Sequence, residues 1–350
     1  MTSRAAGLKA CAAAVAATLV ALALFAWRLD AASSCEFDNV DRVVAVGDVH
    51  GAFDRYQEIL RTANIIDAAG HWSGGATHFV QVGDMVDRGD DSRKVLDFAR
   101  RLEKEAQSAG GRAHILLGNH EVARMLGDLR LTTAGEYAAF AGADAETARQ
   151  RYLRSVTTRS DAERDQLLKD TPLGWFEMRQ AFGRDGDYGK WLRDLPVTVT
   201  IDGFVFVHGG ISPAVAPMGC GAINAQIKRE LTSDLDKTRQ APLASLAARV
   251  DGPLWYRGLA QEPETFAPQV ADILAKMHAR AIVVAHTVSS TGRIATRFDG
   301  RVIQIDTGMQ PAYVPNGRAS ALEITKGGNV AAIYVDRRDV VVTSSSSLWR

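Results

Sequence analysis

Three short polar turns carry residue types suited to chemistry rather than to packing. They read GDVHG (residues 47–51), GDMVDRG (83–89) and GNHE (118–121). Asp48, His50, Asp84, Asp87, Arg88, Asn119, His120 and Glu121 together offer carboxylates, imidazoles, an amide and a guanidinium, and no cysteine lies among them. A mixed oxygen and nitrogen set of this kind suits Mn, Fe or Zn better than soft thiolate chemistry. The glycines permit sharp turns and close backbone approach to a bound group. Two later histidines stand in the same kind of place, His208 in FVFVHGGISP and His286 in IVVAHTV. A lone histidine at a strand end is usually an ordinary polar residue. Two that repeat the placement of the first three turns become candidate ligands.

Residues so far apart can meet only if the elements between them deliver them to one edge. RVVAVGDVHG and HFVQVGDMVDRG are β-branched apolar runs that stop at turns, and AHILLGNHE is a third such run. Between them FDRYQEILRTANII has helical spacing, with Phe53, Tyr56, Ile59 and Leu60 on one face. SRKVLDFARRLEKEA does the same with Val95, Leu96, Phe98, Ala99 and Leu102. The β-α-β-α-β order predicts parallel strands with right-handed crossovers. Sites in parallel sheets form beyond the carboxyl ends of strands, so the three turns converge. Residues 122–195, rich in Ala, Arg and Glu, predict a helical insert or cap. VTVTIDGFVFVHGG predicts a hairpin around Asp202 and Gly203. Residues 222–280 read as mainly helical, and RAIVVAHTV, GRVIQIDTG, ASALEIT and VAAIYVD as strands. A βαβ first half and a β-rich second half predict two packed mixed sheets flanked by helices, a four-layer αββα sandwich over residues 36–343, with residues 344–350 a tail.

The ordered strings GDVHG, GDMVDRG, GNHE, HGGISP and a late AH resemble the calcineurin-like metallophosphoesterases. DRG and HGGISP are similar to the phosphoprotein phosphatase branch, and GNHEVARMLGDLR, GPLWYRG and VVAHTV to the Shewanella-like protein phosphatases. The likeness covers residues 40–325. It implies a binuclear-metal phosphatase of phosphomonoesters, phosphoproteins included, that works by in-line attack of a metal-bridging hydroxide. By that resemblance Asp48 and His50 bind a first metal, Asp84 bridges, and Asn119, His208 and His286 bind a second; the ions are divalent or trivalent. His120 protonates the leaving group, Asp87 orients it and keeps it cationic, and Arg88 and Arg257 grip the phosphate. Glu121 is expected to cap the following helix or to support a ligand. His71, His78, His114 and His278 match no ligand position and are expected to be surface or structural residues. One departure stands out: IDTGMQPAY occupies the neighbourhood where the eukaryotic Ser/Thr enzymes carry a SAPNYC-like segment. Ser/Thr preference is therefore not carried over, and phosphotyrosine and phosphoserine/threonine both stay open.

The bounds are ordinary. The chain has 350 residues, 46% hydrophobic and 23% charged, with formal net charge +0, a globular composition that argues against a nucleic-acid partner. Arg4 and Lys9 precede an uncharged run over residues 10–27, just long enough to span a bilayer. This predicts export, with residues 1–35 as an uncleaved signal anchor facing the domain away from the cytoplasm, or a periplasmic or secreted protein if a signal is cleaved near residues 31–34. Cys35 and Cys220 remain for the exported part and could pair in an oxidising compartment. Two readings share the chemistry: a symmetrical dinucleoside tetraphosphatase and an exported scavenger of small phosphate esters. A rival of another class is a membrane-tethered binding module without catalysis.

Overall fold

A computed structural model describes residues 35–158 and 160–342. The first half alternates as the pattern predicts: β1 (Glu36–Phe37), β2 (Arg42–Val46), α1 (Phe53–Thr62), β3 (His78–Gln81), α2 (Ser92–Ser108), β4 (Arg112–Ile115) and α3 (Asn119–Leu126). The insert follows as α4 (Ala134–Phe140), α5 (Ala145–Ser155), α6 (Asp161–Asp170), α7 (Trp175–Phe182) and α8 (Asp187–Asp194). Then come β5 (Thr198–Ile201), β6 (Phe204–Val207), α9 (Gly219–Leu231), α10 (Leu235–Gln240), α11 (Gly258–Gln261), α12 (Ala267–Lys276) and β7 (Ala281–Val284). The chain closes with β8 (Ala295–Arg297), β9 (Val302–Gln304), β10 (Ser320–Thr325), β11 (Asn329–Tyr334) and β12 (Arg337–Val342).

Two six-stranded mixed sheets result, ordered β1-β5-β6-β7-β9-β8 and β12-β11-β10-β2-β3-β4. Strands β2, β3 and β4 are parallel to one another, as are β6, β7 and β9. Period-two alternation assigns each strand's two faces. Val43, Ala45, Phe204, Phe206, Ala281 and Val283 meet between the sheets, while Val44, Val46, Val205, Val207, Ile282 and Val284 face the outer helices. Strands covered on both sides read as continuous apolar runs, which is why these segments show no polar alternation. The helices supply the outer layers: α1 buries Tyr56, Ile59 and Leu60, and α2 buries Val95, Leu96, Phe98, Ala99 and Leu102. Phe206 lies fully buried in the inter-sheet layer. Phe206→Ala is expected to lower unfolding stability by about 3–5 kcal/mol, the usual cost of a cavity where a core ring stood. Denaturant midpoints check it, and a loss under ~1 kcal/mol would show that the sheets do not pack through this ring.

Several details differ from the sequence reading. The run AHILLGNHE is strand only as far as Ile115, in a strand that starts at Arg112, and Asn119 already opens α3. Strand β12 was not anticipated, because RRDVVV alternates exposed and half-buried residues at a sheet edge. The hairpin turn is where expected, with Asp202 at φ 47° and Gly203 at φ 79°, the left-handed pair of a type I′ turn. Cys35 is bonded to Cys220 of α9, with Cα atoms 6.3 Å apart.

The expectation of a membrane-anchored chain is corrected. Among the described residues no helix is long and apolar enough to cross a membrane. The 17-residue α2 carries charged residues along its length, whereas a span needs about 20 predominantly apolar residues. The uncharged run over residues 10–27 and the tail over 344–350 lie outside the described residues.

Candidate functional site

The carboxyl ends of six strands meet along one edge. β2 leads into Asp48 and His50, β3 into Asp84, Asp87 and Arg88, and β4 into Asn119 and His120. From the second sheet β6 leads into His208, β7 into His286 and β9 into Asp306. The turns are stitched together by backbone. Val49 and His50 N–H donate to the Asp84 carbonyl (3.0 and 2.9 Å), and Gly51 N–H to the Met85 carbonyl (3.0 Å). The Gln81 amide donates to the carbonyls of Gly47 (2.8 Å) and Gly83 (2.9 Å), locking the ends of β2 and β3 together. A Cβ at Gly118 would overlap the Asp84 carboxylate, so only glycine lets the third turn approach the second so closely.

Backbone strain concentrates here. His50 (φ 47°), Asp84 (50°), Asp87 (68°), Arg88 (69°) and His286 (62°) are all left-handed without being glycine. Each such residue costs on the order of 1–3 kcal/mol and persists only where its surroundings over-determine it. Glu121 is one of the restraints. Its buried carboxylate accepts N–H bonds from Asp84 (2.9 Å), Met85 (2.7 Å), Val86 (3.2 Å) and Gly118 (2.8 Å). It thus caps the start of α3 and holds the second turn, in line with a supporting role.

The polar atoms fall into two overlapping groups. His50, Asp84 and His120 place ligand atoms within 4.8 Å of one another, as do Asp84, His208 and His286. Asp84 belongs to both. The Nδ1 atoms of His50 and His208 are tied to the carbonyls of Val86 and Val82 (2.9 Å each). A carbonyl only accepts, so each Nδ1 carries a proton and, in the neutral ring that binds a metal, each Nε2 presents a lone pair. His208 Nε2 faces Asn119 Oδ1 at 2.9 Å and Asp84 Oδ2 at 3.3 Å. His286 Nε2 is buried and has no hydrogen-bond partner among the described residues. Burial, reinforced by His208, drives its pKa down to about 2, leaving a neutral imidazole. Acceptors facing acceptors at these distances fit cations between them, and the donor set fits a binuclear divalent centre.

Asp48 adjoins the first group: Oδ1 accepts the His286 N–H (3.1 Å), and Oδ2 is 3.7 Å from His50 Nε2, the same distance as Asp84 Oδ2. Burial, then the neighbouring charges of Asp306 and Asp84, hold its pKa well above the carboxylate range. Asp306 was missed by sequence reasoning. It is fully buried against Asp48, and its Oδ2 has no partner among the described residues. The available signal was its position: IDTG follows a strand in the same way as the three turns.

His120 belongs to the first group and also reaches Asp87. Its N–H donates to Asp84 Oδ1 (3.0 Å), its Nδ1 is 2.7 Å from Asp87 Oδ2, and its Nε2 is 3.7 Å from Asp84 Oδ2. Burial alone would lower its pKa, but Asp84 and then Asp87 raise it to about 9. Cations on Asp84 would cancel much of the first contribution and leave that of Asp87. The Asp87 carboxyl stays below its ordinary range: burial pushes it up, and Arg124 and His120 more than offset this.

A cavity of about 240 Å³ opens over these atoms, walled by Arg88, Arg130, Leu131, Trp255, Arg257 and Tyr313 among others. The Arg88 guanidinium lies 3.7 Å from the Tyr313 ring centroid. Arg257 donates to the His286 carbonyl (2.9 Å) and the Thr287 hydroxyl (3.0 Å). The other histidines are elsewhere: His71 pairs with Glu105 (2.9 Å), His78 with His114 (3.1 Å), and His278 follows α12.

The "Calcineurin-like phosphoesterase" family profile matches residues 41–290. The chain is 31% identical over 303 residues to an uncharacterized protein of Schizosaccharomyces pombe, covering 83% of this chain and 80% of the relative. It is 28% identical to Shewanella-like protein phosphatase 2 of Arabidopsis thaliana, covering 85% and 78%. Among solved structures, it is similar to the cold-active protein-tyrosine phosphatase of a psychrophilic Shewanella species, with TM-score 0.68, 27% identity, and 88% and 82% of the two chains covered.

Proposed function

This chain belongs to the calcineurin-like phosphoesterase family, and on that premise we propose how its residues divide the work and which substrate they take. The site is that of a metal-dependent phosphomonoester hydrolase with a binuclear metal centre. The carrying observation is the convergence of the His50, His208 and His286 Nε2 atoms on the Asp84 carboxylate. Asp48, His50 and Asp84 hold one ion, and Asp84, Asn119, His208 and His286 the other. When bound, the two ions supply an activated water and the Lewis acidity that phosphoester hydrolysis draws on.

His120 is the leaving-group acid. Asp87 accepts the Nδ1 proton and, with Asp84, favours the cationic ring, so Nε2 carries a second proton that it can deliver. Arg88 and Arg257 take the phosphate oxygens with their forked donors. Arg88 Nε is buried without a partner among the described residues, a donor that a phosphate would satisfy.

The preferred substrate is phosphotyrosine in a protein or peptide. Trp255, Leu131 and Tyr313 line the cavity and give an aryl leaving group apolar walls, and one similar solved structure is a protein-tyrosine phosphatase. Ring contacts contribute about 0.5–1.5 kcal/mol each, so a phosphotyrosine peptide is expected to exceed a phosphoserine peptide in kcat/KM by roughly tenfold. The test is a panel of the two peptides with a dinucleoside tetraphosphate, run on metal-analysed protein. Equal turnover of both peptides, or preference for the tetraphosphate, would overturn the substrate reading.

A further inference from the structure

Arg124 lies four residues after His120 on α3, and its side chain is wholly buried. Its Nη2 donates to Asp87 Oδ1, to Glu136 Oε1 at 2.7 Å and to Thr132 Oγ1 at 3.3 Å. The Thr132 hydroxyl in turn donates to Asp87 Oδ1 at 3.2 Å. Glu136, in the first turn of α4, also accepts the N–H of Asp87 (3.1 Å) and of Thr133 (2.9 Å). Asp87 Oδ1 is therefore fully engaged, and Oδ2 is the oxygen left to face His120 Nδ1 at 2.7 Å.

Stability alone does not account for this arrangement. A buried ion pair is often replaceable by apolar residues at no loss, and here Nε and Nη1 of Arg124 find no partner among the described residues. Leaving buried donors unmade is costly, and the Phe182 ring beside the guanidinium would suit a Met or Leu. The arrangement does one thing an apolar side chain cannot: it decides which oxygen of Asp87 points at His120.

We propose that Arg124, held by Thr132 and Glu136 at the start of the helical insert, is a positioning residue that locks Asp87 in the rotamer which mounts His120 for leaving-group protonation. The proposal rests on the reading of His120 as the acid. It makes the beginning of the insert a mount for the proton donor.

The experiment compares kcat/KM for phenyl phosphate, whose leaving group needs a proton, with 2,4-dinitrophenyl phosphate, whose leaving group needs none. The protein is the full chain loaded with manganese. Arg124→Met is expected to lose on the order of 10–100-fold on phenyl phosphate, the range seen when a supporting partner is removed, and under about twofold on the dinitrophenyl ester. Bound metal stays unchanged, and Arg124→Lys recovers part of the loss. Adding Arg124→Met to Asp87→Asn is expected to cost nothing further, because the two act as a unit. If Arg124→Met does not fold, Glu136→Gln and Arg124→Lys are read by the same ratio and should show a smaller selective loss. Equal losses on both esters, or additive losses in the double variant, overturn the proposal. His120→Asn separates it from the reading beneath it. If that variant is selective and Arg124 variants are not, only the mount fails; if His120→Asn slows both esters equally, the acid assignment fails too.

Discussion

Asp84→Asn is expected to abolish phosphatase activity and to strip bound metal from the protein while leaving the fold in place. Asp84 is the one residue common to both groups of converging ligand atoms, so its loss weakens both ions together. Each ion contributes several kcal/mol to stabilising developing charge, and about 1.4 kcal/mol is a factor of ten in rate. Turnover is therefore expected to fall by on the order of 10⁴-fold or more. Asparagine is the informative replacement. It tolerates the left-handed backbone that Asp84 adopts at φ 50°, and its Oδ1 can still accept the His120 N–H that Asp84 holds at 3.0 Å. Loss of the fold is thus kept apart from loss of metal. Elemental analysis, circular dichroism and aryl phosphate hydrolysis check all three, and chelation of the unmodified protein should reproduce the loss of activity. Retention of two ions, or activity within tenfold of the unmodified protein, would contradict the bridging role.

His120→Asn gives the second large effect, and its signature is selectivity. General acid catalysis contributes typically 10²–10⁴-fold, and that contribution matters only where the leaving group needs a proton. An alkyl phosphate should slow by about that factor, while 2,4-dinitrophenyl phosphate should barely change. The geometry leaves a sharp competitor, because His120 also completes one of the two ligand groups with His50 and Asp84. A histidine ligand commonly donates its other ring N–H to a carboxylate, just as Nδ1 does to Asp87. Metal content separates the roles. An acid can be removed with both ions retained, whereas removal of a ligand costs one ion and slows every ester alike. The second result would hand the acid role to another group and make His120 a ligand.

Much of this site is legible in the sequence. The strand-end placement of Asp48, Asp84, Asn119, His208 and His286 follows from apolar runs that stop at Gly-rich or polar turns, and the geometry of parallel sheets brings such ends together. The inward faces of α1 and α2 are readable because a 3.6-residue period survives in any packing partner. What stays hidden has a common cause. Arg124 looks like one more charged residue on a helix, and only packing shows it sealed between Asp87 and Glu136. Asp306 follows a strand like the others, yet nothing local says that it lies against Asp48. Tyr313 sits in a segment without periodicity, and its place over Arg88 depends on a loop pinned by Arg55 to Met309 and Gly317.

The sequence by itself determined the chemistry. Residue types and turn spacing are local, and they specify a mixed ligand set and the strands that end at each turn; the acid role of His120 is what the family resemblance implies. The tertiary structure decided the assembly. It set which Nε2 atoms face which carboxylates, brought His120 as well as Asp48 beside His50 and Asp84, and threaded the insert's Glu136 against Asp87 and Arg124. Those outcomes depend on side chains from segments up to 238 residues apart, as in the Asp48–His286 contact. Contacts of that kind are fixed by the packing of two sheets and their helices, and no periodicity in the chain encodes them.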